Sequence, residues 1–226
     1  MMRAAGLLLA LALAGSAPAQ TPGPFADEIG QFVAADKAAA PAPCQTLLVG
    51  SSSIRMWSTA AADLAPLPVI NRGFGGSQVS DVNGYFDTVV APYRPRRIVF
   101  YAGDNDIADG KSPDRVFADF QAFMALKTAK LGDTPVYVIS VKPSKLRFDQ
   151  LADQARANAK LKALAAQRAD LVYVDVVDAM LQGGRPREIF IADGLHMTAD
   201  GYAIWTRILR PVLMAPPPTR APGCPA

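Results

Sequence analysis

The chain has 226 residues and a formal net charge of +3, from 23 basic and 20 acidic side chains. No block of basic residues occurs, which argues against a nucleic-acid-binding stripe, and after the first residues no apolar stretch is long enough to cross a membrane. The length and a hydrophobic share of 50% suit one domain with a sizeable core.

Residues 1–19 read as an export signal. Met1-Met2-Arg3 gives a positive start, residues 4–15 are apolar but too few to span a bilayer, and Ala17-Pro18-Ala19 offers a cleavage site. Cleavage near Ala19 predicts a periplasmic or secreted protein, with one domain over residues 20–215 and a Pro-rich tail over 216–226. After a Pro/Gly/Thr linker, the spacing of Phe25, Ile29, Phe32 and Val33 predicts an amphipathic helix over 25–39. Short apolar runs at 46–49, 67–70, 97–101, 136–141 and 171–176 predict five buried strands. Helical patterns occupy 79–90, 113–130, 147–168 and 199–213, the second of these opening on Ser112-Pro113, a cap followed by a favoured first helical residue. Strands alternating with helices predict a single three-layer α/β/α domain with a parallel sheet and right-handed crossovers. Cys44 precedes the first strand and Cys224 follows the last helix, so the two can meet and form one disulfide in an oxidising compartment; the alternative is two free thiols.

Ligands of such sheets bind outside the carboxyl ends of the strands. Strand one ends in Gly50-Ser51-Ser52-Ser53, strand two in the run from Asn71 to Ser77, and strand three in Gly103-Asp104-Asn105-Asp106; Asp193-Gly194-Leu195-His196 follows strand five. His196 is the only histidine. Each cluster alone has a plain explanation as a turn or a cap. Together they assemble acyl-transfer chemistry: a serine needs a base to take its proton, the base needs an orienting carboxylate, and the tetrahedral intermediate needs donors for its oxyanion.

With the blocks GSSS, NRGFGGS, GDND and DGLH in this order, the sequence resembles the SGNH (GDSL-type) hydrolase superfamily. The longer strings VGSSSIRMW, YAGDNDIADGK and DGLHMTADGYAIW resemble an exported bacterial subgroup of it. The resemblance implies a flavodoxin-like sheet of order 2-1-3-4-5 and ester hydrolysis without a cofactor. It gives Ser52 the nucleophile's position and makes Ser52, Gly76 and Asn105 the oxyanion donors, with Asp193 and His196 completing the triad. Ser51 stands where the family's aspartate usually stands. Ser53 competes for the nucleophile's place because it precedes Ile54 as the family's serine precedes leucine, whereas the distance from Gly50 favours Ser52. The implied substrate is a small-molecule or carbohydrate-linked acyl ester.

The same residues speak against other folds and activities. An α/β-hydrolase elbow needs G-x-S-x-G, and Ile54 occupies the second glycine position. A mononucleotide binder needs a G-x-G-x-x-G turn or a P-loop lysine, and strand one has neither. A non-catalytic glycan-binding module on the same crevice remains the alternative. Asp104, Asp106 and Asp109 lack the glycine and distal glutamate of a calcium loop, so no metal is expected and Asp106 is read as bonding its own turn. Trp57 and Trp205 are read as packing, Arg72 as structural, and Lys142-Pro143-Ser144 as shaping the pocket without chemistry.

Overall fold

The computed structural model describes residues 23–225; the expected leader at 1–19 lies outside the described residues. In chain order the elements are α1 Ala26–Ala38, β1 Thr46–Gly50, α2 Ser52–Arg55, α3 Ala60–Asp63, β2 Val69–Gly73, α4 Val79–Gly84, α5 Phe86–Val89, β3 Arg97–Tyr101, α6 Asp104–Ala108, α7 Pro113–Leu131, β4 Val136–Ile139, α8 Leu151–Ala165, β5 Leu171–Val174, a small hairpin of β6 Leu181–Gln182 and β7 Arg185–Pro186, and α9 Ala199–Met214. The five long strands form one parallel sheet in the order β2-β1-β3-β4-β5, as expected. No described helix is long and apolar enough to cross a membrane.

Alternation along the strands builds two cores. Leu47 and Val49 of β1 join Ile98 and Phe100 of β3 on the face covered by α1, α4, α5, α7 and α8. Leu48, Val99 and Tyr101 point the other way, onto α2, α3 and α9. Because both faces are covered, β1 and β3 are buried at every position.

Differences from expectation fall where polar contacts outweigh hydrophobic pattern. β2 begins two residues later than its apolar run and continues through Asn71, Arg72 and Gly73, since these pair with Leu48, Val49 and Gly50. Arg72 is tied to Asp36 of α1 and lies over the rings of Phe32 and Tyr93, so it is structural. The helix expected over 79–90 breaks between α4 and α5, at Gly84 and Tyr85. The helix expected from Arg147 begins at Leu151, preceded by a single 3-10 turn over Phe148–Gln150.

Cys44 and Cys224 form a disulfide that closes 180 residues of chain. The tail is held beyond it as well: Ala221 is buried, and Thr219 donates to the Asp133 carbonyl at 2.6 Å. Cys224→Ser should lower unfolding stability by about 2–4 kcal/mol, read from denaturant midpoints at constant slope. A variant with the wild-type midpoint would deny the cross-link any stabilising part.

Candidate active site

The turn after β1 depends on a missing side chain. A Cβ on Gly50 would stand 1.8 Å from the Tyr101 carbonyl oxygen of β3. The chain therefore turns tightly and starts α2 at Ser52, with the Ser52 hydroxyl over the carboxyl edge of the sheet. Two partners hold this turn. Asn71 donates to the Ile54 carbonyl at 2.7 Å, and Tyr202 of α9 donates to the Ser53 carbonyl at 3.0 Å. Gly73 lets β2 pass close beneath, since a Cβ there would meet the Arg55 nitrogen at 2.4 Å.

His196 reaches this turn from the loop before α9. Its Nε2 lies 2.9 Å from Ser52 Oγ and its Nδ1 lies 2.6 Å from Asp193 Oδ2. A carboxylate on Nδ1 places the ring proton there and leaves Nε2 as the acceptor for the serine hydroxyl. The other Asp193 oxygen accepts the backbone N–H groups of Leu195 and His196 at 2.8 and 2.9 Å. Slight burial pulls the Asp193 carboxyl up, but these three bonds outweigh it and hold the group at about 2. Ser53 makes no hydrogen bond to His196; of the two neighbouring serines, Ser52 is the one at the imidazole.

Gly76 and Asn105 face the same cleft, which encloses about 350 Å³. The N–H groups of Ser52 and Gly76 have no acceptor among the described residues. Asn105 spends one amide hydrogen on the Ser77 carbonyl at 2.9 Å, and its Oδ1 accepts from Arg147 at 3.1 Å, leaving the second hydrogen for the cleft. The five expected site residues thus converge.

Several residues outside the expected set support them. Arg147 also pairs with buried Asp104 at 3.1 Å, which draws residue 147 out of the helical run and into the site. Lys142 is fully buried; burial pulls its ammonium down and Asp104, at 3.7 Å, opposes that. It donates to the Leu195 carbonyl at 2.9 Å, so the strand-four end ties the asparagine loop to the histidine loop. Glu28 of α1 accepts the Gly75 N–H with both oxygens, at 3.0 and 3.3 Å. Asp106 accepts the Val79 N–H at the start of α4, at 3.1 and 3.3 Å, and Lys111 at 2.9 Å, so it joins loops and does more than serve its own turn. Trp57 and Trp205 are buried in the core. A lone glutamate on a helix reads as a solvated charge, and nothing in the sequence separates Glu28 from that.

A single α/β domain with this sheet order is the fold of GDSL/SGNH hydrolases. The chain belongs to the GDSL-like lipase/acylhydrolase family, whose model matches residues 37–204. No curated protein matches it. Among solved structures it is similar to a Streptococcus pneumonia protein at 19% identity and a TM-score of 0.74, over 84% of this chain and 92% of that one. A GDSL-like lipase from Bacteroides thetaiotaomicron aligns at 21% identity and a TM-score of 0.70, over 82% and 96%. An acetylxylan esterase from Geobacillus stearothermophilus aligns at 14% identity and a TM-score of 0.63, over 78% and 97%.

Proposed function

We propose that this protein is an exported serine esterase that hydrolyses short acyl esters, with Ser52, His196 and Asp193 as its triad. The observation that carries the reading is the unbroken hydrogen-bonded line from Ser52 Oγ through both His196 nitrogens to Asp193. Ser52 attacks the ester carbonyl while His196 Nε2 takes its proton; Asp193, ionised down to a pH of about 2, stabilises the imidazolium. The oxyanion is held by the Ser52 and Gly76 N–H groups and the Asn105 amide. His196 then protonates the leaving alcohol, and afterwards activates the water that frees the acid from the acyl-enzyme.

Export is supported by the leader pattern at 1–19 and by the Cys44–Cys224 bond, which suits an oxidising compartment. In this reading, residues 20–215 are the esterase domain and 216–226 its tail. The family and the fold shared with an acetylxylan esterase favour small or carbohydrate-linked acetyl esters.

Fluorophosphonate labelling of the mature protein tests the reading. Modification of Ser52 is the expected result, and a protein that resists the probe is a glycan-binding module instead. Asn105→Ala should reduce kcat by about a hundredfold or more with little change in KM, because the lost donor acts on charge present only in the transition state. Equal loss in KM alone would remove Asn105 from the oxyanion site.

A further inference from the structure

One wall of the cleft is built around a guanidinium. Ser52 and Arg55 are one turn apart on the short helix α2, so Arg55 stands on the same side as the serine. Its guanidinium lies flat on the loop carrying Gly75 and Gly76: a Cβ on Gly75 would come within 2.9 Å of Arg55 Cζ and within 3.1 Å of both terminal nitrogens. Glycine at 75 therefore leaves the space that this cation fills.

Arg55 is tethered there but largely unspent. Among the described residues its only side-chain partner is Glu28, through a single contact of 3.5 Å. Glu28 in turn gives both oxygens to the Gly75 N–H. Arg55 keeps its remaining donors, with the side chain 47% exposed toward solvent and cleft. Arg147, the other cation of the cleft, is turned inward onto Asp104 and Asn105. The walls otherwise offer one aliphatic side chain, Leu195. Such a cleft gives a long acyl chain almost no apolar surface to bury, while it presents a planar fork of N–H donors matched to a carboxylate.

We propose that Arg55 anchors a carboxylate on the alcohol part of the substrate, so that the enzyme acts on short-chain acyl esters of anionic alcohols, such as O-acetylated acidic sugars. The assignment rests on the esterase reading of Ser52. Glu28, supplied by a helix that begins before the family-matched region, holds Arg55 and the oxyanion loop in register for that substrate.

The test compares 4-acetoxyphenylacetate, which carries a carboxylate, with its uncharged methyl ester, on wild-type protein, Arg55→Gln and Arg55→Lys. The ratio of kcat/KM values for the two esters, taken relative to wild type, cancels their intrinsic reactivities. Arg55→Gln is expected to lower the preference for the anionic ester about tenfold, and Arg55→Lys, which keeps the charge, to lower it less. Raising the salt concentration should erode the wild-type preference for the anion while leaving the methyl ester untouched. An unchanged ratio in Arg55→Gln, or a wild-type preference indifferent to salt, overturns the anchor and leaves the esterase standing. Failure of the wild-type protein to cleave either ester overturns the esterase reading and the anchor together.

Discussion

Ser52→Ala is expected to lower turnover of an activated acetyl ester by about four to six orders of magnitude, with thermal unfolding of the variant close to wild type. The size of the loss follows from what remains. The oxyanion donors and the imidazole are still in place, but no oxygen stands 2.9 Å from His196 Nε2 to attack the carbonyl. The oxyanion donors and substrate binding then contribute only residual acceleration over water. The mild effect on folding follows from the position of the hydroxyl, whose only side-chain hydrogen bond among the described residues is with His196. Ser53→Ala is the matched control. Ser53 is buried, and it is its main-chain carbonyl that receives the Tyr202 bond, which alanine preserves. Full activity in Ser52→Ala together with loss in Ser53→Ala would move the nucleophile by one residue.

The contrast between these two serines shows how far the sequence could be read. Period-two alternation separates Leu47 and Val49 from Leu48, and strands alternating with helical patterns leave few topologies besides a parallel three-layer sheet. That made the fold legible, and the rule that strand ends carry the ligand site brought four separated clusters into one cleft. Boundaries were less legible where side-chain bonds decide them. Asn71 and Arg72 look like a loop by hydropathy, yet they extend β2, because Asn71 bonds the serine turn and Arg72 bonds Asp36.

The support of the site was illegible for a related reason. Asp104 is far in sequence from Lys142 and Arg147, and the ion pairs that join it to them exist only once β3 and β4 are adjacent. A charged residue in a chain of this composition is more often solvated than buried. Lys142 departs from that rule at a strand end, and half-buried Glu28 is bonded to a loop from a helix face; periodicity flags neither. The residues of the proposed triad were legible because acyl-transfer chemistry restricts residue types; their scaffold was hidden because many residue types can hold a loop.

The same limit applies to the largest stability effect expected of a single charge. Lys127 of α7 is fully buried, with its ammonium on Asp170 and on the Gly132 carbonyl at 2.9 Å. Asp170 also accepts Arg168 through both oxygens, at 2.9 and 2.8 Å. Removing the carboxylate in Asp170→Asn strands a buried cation, which costs about 3–5 kcal/mol and lowers Tm by about 10 °C. Adding Lys127→Met, which replaces the stranded charge with an apolar chain of similar length, should recover much of that loss. Acid unfolding offers a second readout. Burial pulls the Asp170 carboxyl up, but Arg168 and Lys127 outweigh it and hold it at about 2. A carboxyl depressed below its unfolded value of about 3.9 contributes fully above that pH and loses its contribution as pH falls toward 2. Asp170→Asn should therefore make stability less steep in pH across that window, by up to about 1.4 kcal/mol per pH unit. Some slope remains, because Asp193 is held at about 2 and titrates over the same range. An Asp170→Asn protein that melts at the wild-type temperature, with an unaltered acid slope, would mean that Lys127 finds its compensation elsewhere.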